Sequence, residues 1–332
     1  MKAILLSIFS LSLFANPALL ERLENRRELV KSWALECSDG SYSEHVGDCH
    51  QHDVTLFAGL GCLGAVLADD TETIKKRCDD VKNAQGSNGR WWRGVTRVDD
   101  GRDNSFSRDM ARGVHAYLIA KGHLNKDLEE KEEVKKSATN WFNWIMSDEA
   151  DEKLCTIFTS NRCRITIGAR NLFYNTFGAL GVMPQGGGLA RKVRKSGWYL
   201  KNLFYVETMV TETGYPRHLK ASSLLMYRVL NMQDGKIKDK KIERKMKKVA
   251  KFLHKKDTEN ALMNFFNNGV SEKLVDQVLT QCPANLPNSE QINRDFQWQR
   301  TTSQGIIDIT DGHDCVYLMN LMIAKLNGNL HW

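Results

Sequence analysis

Six stretches of the chain are apolar on every side of a helical wheel, and stretches apolar on one side only lie between them. The first kind comprises residues 53–67 (DVTLFAGLGCLGAVL), 107–120, 166–180 (TIGARNLFYNTFGAL), 217–230 (RHLKASSLLMYRVL), 259–266 (ENALMNFF) and 313–326 (HDCVYLMNLMIAKL). A helix without a polar face belongs inside a large protein. The second kind, at 20–35, 71–84, 126–146, 192–213, 242–255 and 271–281, carries charge on one side and fits half-exposed helices. Strand-like alternation is scarce, so the chain reads as all-α.

The buried helices begin near 53, 107, 166, 217, 259 and 313, a period of about 50 residues, and such periods mark helical arrays. An open array needs a polar cap at each end, yet the last apolar helix runs almost to Trp332. Six inner helices ringed by six outer ones would cover every inner helix. The fold expected is therefore a single (α/α)6 toroid, or barrel, over residues 19–332. Closure would gather the polar first turns of the inner helices at one wet, concave end. That accounts for GRDNSFSRDMARGVHAYLIAKG (101–122), where Ser105, Arg108 and Asp109 open an otherwise buried helix.

The N-terminus breaks this pattern. Met1-Lys2 precedes the apolar run AILLSIFSLSLFA, and small residues follow at Ala15 and Ala18. Residues 1–18 thus read as a secretory signal peptide with two competing cleavage sites, and the chain as secreted or periplasmic. No later stretch is apolar for the roughly 18 residues a membrane helix needs. An oxidising compartment makes disulfides of the eight cysteines, with 105 pairings open. Proximity along the chain favours Cys37–Cys49, Cys62–Cys78 and Cys155–Cys163, which leaves Cys282–Cys315. No C-x-x-C occurs, against a zinc ribbon or a thioredoxin-type centre.

Composition is that of an ordinary globular protein, 42% apolar and 26% charged, with net charge +7. The positive excess gathers in KIKDKKIERKMKKVAKFLHKK (236–256), where Ile242, Met246, Val249, Phe252 and Leu253 recur at helical spacing. A surface helix with one buried face is the plain expectation; electrostatic contact with an anionic glycan or envelope is the functional one. Nucleic acid is not an expected partner of an exported chain.

The alternation of inner and outer helices resembles the six-hairpin α/α toroid of bacterial carbohydrate-active enzymes. NSFSRDM (104–110), GYPRHLKASSLLMYRVL (214–230) and DGHDCVYLMNLM (311–322) resemble inner-helix starts in such proteins. The resemblance covers the architecture of most of the chain and carries no catalytic motif. It implies a glycan-cleaving hydrolase or lyase, or a glycan-binding relative of either, with polysaccharide or peptidoglycan-type glycan as partner.

Site residues follow from chemistry and position. RWWRGVTRVDDGRDNSFSRD (90–109) sets Trp91 and Trp92 beside five arginines and four acids. Trp91 and Trp92 would stack on sugar rings, with Arg93 and Arg108 nearby. Asp109 lies in a first helical turn with Gly113 and Ala116 on its face, leaving room above the carboxylate. An aspartate there also stabilises the helix dipole by about 0.3–1 kcal/mol. TSQGIIDITDGHDC (302–315) contributes Asp311, His313 and Asp314 at another inner-helix start. Paired carboxylates at a cleft perform acid/base work on glycosides, so Asp109 with Asp311 or Asp314 is the expected pair, and Asp103 and Asp53 are the reserve acids.

In GDCHQHD (47–53), His50 and His52 lie on a loop whose neighbouring side chains point apart, so no metal is expected and no cofactor either. ETGYPRHLK (212–220) supplies Tyr215, Arg217 and His218, the residue types a polysaccharide lyase uses on an acidic glycan. PQGGGLARK (184–192) lacks the GK[ST] ending of a phosphate loop and reads as a mobile loop.

Overall fold

The structure, a computed structural model, describes residues 16–33, 54–100, 106–145, 167–182, 196–233, 236–285, 298 and 312–332. It is mostly helical, as the periodicity predicts. In chain order the helices are α1 (Pro17–Lys31), α2 (Val54–Ala68), α3 (Thr71–Thr73), α4 (Asp79–Asn83), α5 (Arg108–Tyr117), α6 (Leu128–Ile145) and α7 (Ile167–Ala179). Then follow α8 (Ser196–Asn202), α9 (Phe204–Met209), α10 (Tyr215–Leu230), α11 (Lys240–Lys256), α12 (Ala261–Asn268), α13 (Glu272–Gln281) and α14 (His313–Leu326). Between α10 and α11, β1 (Met232–Gln233) and β2 (Lys236–Ile237) form an antiparallel ribbon.

Helix α2 contains no charged residue, and its glycines let three partners approach closely. A Cβ on Gly59 would lie 2.0 Å from the carbonyl oxygen of Gly113 in α5, and one on Gly64 would lie 3.0 Å from the Tyr317 ring in α14. Gly61 faces the Arg77 side chain in the π-helical turn Ile74–Cys78 that joins α3 to α4. Such contact of helix backbones gives dense packing without large side chains.

The directions of these helices follow from their contacts. Phe57 and Gly61 share a cleft with His313 and Val316, whereas Asp70, just past α2, accepts from Asn320 Nδ2 at 3.3 Å. Helices α2 and α14 therefore run parallel. The start of α2 meets Gly113, and the π-helical turn Leu118–Leu124 that continues α5 also packs on α2, so these two are parallel as well. Farther round, α5 touches α7, where His115 meets the Phe173 and Phe177 rings at 5.8 and 6.3 Å. The Tyr227 hydroxyl of α10 donates to the Gly168 carbonyl of α7 at 3.0 Å.

Polar residues start these helices because the first backbone N–H groups need acceptors. Ser107 Oγ accepts from the N–H groups of Asp109 and Met110, and Asn260 Oδ1 from that of Met263. In α10 a proline, Pro216, occupies the first turn, where no donor is required. Ser107 thus meets the need that the sequence suggests for Ser105, which lies outside the described residues.

The charged helices form the outer cover. Arg22 of α1 reaches Asp276 of α13 at 2.5 Å, and Arg27 donates to Asn320 of α14 at 2.9 Å. Two expected disulfides are present. Cys62–Cys78 ties α2 to its outer neighbour, and Cys282–Cys315 ties the end of α13 to α14. Cys37, Cys49, Cys155 and Cys163 lie outside the described residues, as does the glycine-rich loop at 184–192.

Two outer elements differ from the continuous helices expected. The 71–84 stretch is α3, a π-turn and α4, and the end of the 192–213 stretch is α8 and α9, broken around Leu203. Among the described residues, no helix is long and apolar enough to cross a membrane.

Candidate functional site

Asp109 lies in the first turn of α5, and its side chain keeps 27% of its surface exposed. Both carboxylate oxygens are engaged. Arg112, one turn on, donates Nη1 to Oδ1 at 2.5 Å, and Tyr215 donates its hydroxyl to Oδ2 at 3.0 Å from the start of α10. The residues are 106 positions apart in sequence, so two of the predicted inner-helix starts meet here. A carboxylate fixed by a guanidinium on one oxygen and a phenol on the other is oriented, negatively charged and still reachable.

Arg112 also borders a small polar recess of about 250 Å³, with Tyr199, Lys220, Ser223 and Tyr227 on its other walls. Glu207 supports this recess: its Oε2 accepts from Lys220 Nζ at 2.7 Å and from the Tyr199 hydroxyl at 2.8 Å. Burial lowers the Lys220 pKa, with Glu207 opposing the shift. Burial, aided by the Tyr227 and Glu207 dipoles and charge, raises Tyr199 far above the ordinary phenol value. Sequence reasoning missed Arg112, Lys220, Glu207 and Tyr199. Arg112 had a readable signal, the i,i+3 spacing from Asp109; Lys220 and Glu207 had none, because α9 and α10 bring them together.

His218 stands one turn past Tyr215 but is fully buried, and burial together with the Arg112 charge lowers its pKa to about 3. It is neutral at physiological pH. Arg108 is exposed and Arg93 half-buried beside α2, where its carbonyl accepts from Thr55 N at 3.0 Å.

Several expected site residues occupy other roles. Trp91 and Trp92 do not present open faces to a sugar, because both are core. The Trp91 indole donates to the Val81 carbonyl at 2.7 Å and meets Trp141 edge-on, and the Arg90 guanidinium stacks 3.7 Å from the Trp92 ring. Asp314 is fully buried, and its Oδ1 accepts the Cys315 N–H at 2.8 Å. It therefore acts in the first turn of α14 and not as an open carboxylate. Gly113 does not make room above Asp109; a Cβ there would lie 2.0 Å from the Thr55 carbonyl oxygen, so the residue serves the approach of α2. Asp53, Asp103 and Asp311 lie outside the described residues.

His313 lines a second, larger cleft of about 490 Å³ with Lys31, Glu72, Lys76, Arg77 and Phe57, and it touches the Arg77 guanidinium. Behind it, buried Asp70 pairs with Lys31 at 2.6 Å and with Arg27 at 3.8 Å, and these partners hold its pKa below the usual carboxylate value against the opposing effect of burial. Among the described residues no group of three histidine, cysteine or acidic side chains is placed to hold a metal ion. Compared with protein-family models, with curated proteins and with solved structures, the chain matches none.

Proposed function

We propose that this chain is an exported glycoside hydrolase built on an (α/α)6 toroid, with residues 1–18 as its signal peptide and Asp109 as a catalytic carboxylate. The observation that carries the reading is the half-exposed Asp109 held between Arg112 and Tyr215, where two inner-helix starts meet. In favour of the ring, α14, α2 and α5 are parallel neighbours, and α7 and α10 follow. At the other side Trp298 bridges two further helix starts: Asn260 donates to its carbonyl at 3.2 Å, and its indole donates to the Asp314 carbonyl at 2.7 Å.

Glycoside hydrolysis uses one carboxylic acid to protonate the leaving oxygen and one carboxylate to activate water or attack the anomeric carbon. Asp109, as the anion of an ion pair, suits the second role. Asp311, in the segment leading into α14, is the partner acid; buried Asp314 is not. No metal or cofactor enters this scheme, and the substrate is a polysaccharide or peptidoglycan-type glycan.

A polysaccharide lyase is the second reading, and the Tyr215–Asp109 contact favours it. Tyr215 would act as the proton-transfer residue, while Arg112 would neutralise a uronate carboxylate in the neighbouring recess. A glycan panel that includes peptidoglycan and uronic-acid polymers separates the readings when new reducing ends and unsaturated-sugar absorbance are followed together. A hydrolase yields reducing ends alone, and Asp109→Asn lowers its rate by about 10²–10⁴-fold while Tyr215→Phe costs far less. A lyase yields both signals and reverses that ranking. A folded Asp109→Asn protein that cleaves at the wild-type rate would rule out the assignment of Asp109. Binding without either product would identify a non-catalytic glycan-binding toroid.

A further inference from the structure

The outer layer formed by α8, α9 and α11 carries two features that the glycan reading does not use. The first is a stripe of cations. Lys241, Arg244, Lys248, Lys251 and Lys255 recur at alternating steps of three and four, which puts them along one side of α11. All five are exposed, and among the described residues none is joined to a carboxylate by a salt bridge. The acids of this helix are engaged by other lysines: Glu243 with Lys247 at 2.9 Å, and Asp239, its N-cap, with Lys201 at 2.6 Å. At 1.5 Å rise per residue the stripe is about 20 Å long.

The second feature is apolar. Trp198 on α8 is 57% exposed, and Val206, Met209 and Val210, on α9 and at its end, are 45%, 40% and 78% exposed. The two features adjoin. A Cβ on Gly197 would lie 3.8 Å from Ile242 at the start of α11, and the Tyr205 ring lies 6.3 Å from that of Phe252 farther along. Helices α8 and α9 therefore both lie beside α11. All three bury their other sides, through Tyr199, Phe204, Met246 and Leu253 among others. Their exposed residues lie on the sides turned away from that core.

We infer that this face docks the protein on an anionic lipid bilayer. Surface-lying protein segments bind membranes through buried apolar area plus attraction of Lys and Arg to acidic headgroups. The lysine stripe supplies the second, and an indole with three aliphatic side chains supplies the first. A soluble polyanion such as an acidic polysaccharide would engage the cations but gains little from Val206, Met209 and Val210. The apolar residues of α11 itself, Ile242, Met246, Val249 and Leu253, are buried, so the helix docks by its charges without unfolding from the core.

The test uses protein as an exporting host processes it and measures co-sedimentation with vesicles of phosphatidylglycerol and phosphatidylcholine against phosphatidylcholine alone. Two folded variants, checked by unchanged thermal unfolding, separate the contributions. Lys241→Gln/Arg244→Gln/Lys248→Gln/Lys251→Gln removes charge, and Trp198→Ser/Val210→Ser removes apolar anchors. Binding is expected on the anionic vesicles, weakening with salt, about 1,000-fold weaker for the charge variant and about tenfold weaker for the apolar variant. A retained leader would bind both vesicle types and ignore these substitutions.

Equal binding to neutral and anionic vesicles, or none to either, overturns the inference. So does an apolar variant that binds vesicles like wild type, while the charge variant loses a soluble polyuronate; that result assigns the stripe to acidic glycan. Glycan cleavage is measured separately and leaves these outcomes unchanged.

Discussion

Replacing Gly113 by alanine tests the close packing of α2 on α5 beneath Asp109. In an isolated helix the change stabilises by about 1 kcal/mol, because glycine is the poorer helix former. Here the new methyl carbon would lie 2.0 Å from the Thr55 carbonyl oxygen and 2.5 Å from the Leu56 Cα, both backbone atoms of the facing helix. No rotamer change relieves that contact; α2 must move away by more than an ångström, and atoms along the shared surface lose their neighbours. Overpacking of this kind costs about 1–3 kcal/mol and more where backbone must shift. With the propensity gain subtracted, a net loss of about 2 kcal/mol, at the upper end of that range, is expected, or roughly 3 °C in Tm for a chain of this size.

Differential scanning calorimetry of the oxidised protein measures it, with Gly197→Ala as the control. At Gly197 the nearest atom stands 3.8 Å away in a flexible isoleucine, so the same change should be neutral or stabilising. A Gly113→Ala protein as stable as wild type would refute the packing argument. Because the shift lies one turn below Asp109, the proposed glycan cleavage should weaken with it.

Acid lability should come from two buried histidines. Burial and the Arg112 charge lower His115 and His218 to about 3, below the ordinary 6.5, so the unfolded chain takes up protons first. Their contribution to stability is complete above pH 6.5 and is lost as the pH falls toward 3; at pH 5 each costs about 2 kcal/mol. His115 is packed among Trp141, Phe173 and Phe177, and His115→Phe should flatten the Tm-against-pH curve between pH 7 and 5, a prediction that fails if its slope matches wild type. Reduction should destabilise through both disulfides, Cys62–Cys78 by about 3 kcal/mol and Cys282–Cys315 by about 4, from separations of 16 and 33 residues. Urea unfolding of the Cys62→Ser/Cys78→Ser and Cys282→Ser/Cys315→Ser proteins measures each; midpoints equal to wild type would contradict it.

The helices were legible because their starts are written locally. The inner stretches expected at 107, 217, 259 and 313 begin in the structure at Arg108, Tyr215, Ala261 and His313. Ser107, Pro216 and Asn260 mark three of those starts by chemistry that needs no tertiary partner. Asp109 was legible as a polar residue that opens an apolar helix, whereas its grip by Tyr215 joins residues 106 positions apart and leaves no local trace. Trp91 and Trp92 misled for the opposite reason. Arginines and aspartates surround them in sequence, so they read as exposed, but the Val81 carbonyl and the stacked Arg90 let both indoles enter the core. The breaks around Ile74–Cys78 and Leu203 were illegible because hydrophobic periodicity registers faces, not the hydrogen-bond step of each turn.

The Trp332 ring lies 4.6 Å from the guanidinium of buried Arg228 and 6.4 Å from Phe265, and the residue's carbonyl accepts from Lys325 at 2.7 Å. Arg228, whose pKa burial lowers to about 9, otherwise donates to the Phe266 carbonyl at 3.3 Å. Replacing Trp332 by alanine would leave a buried cation without its aromatic cover, so this indole, far from the candidate site, should weigh on stability.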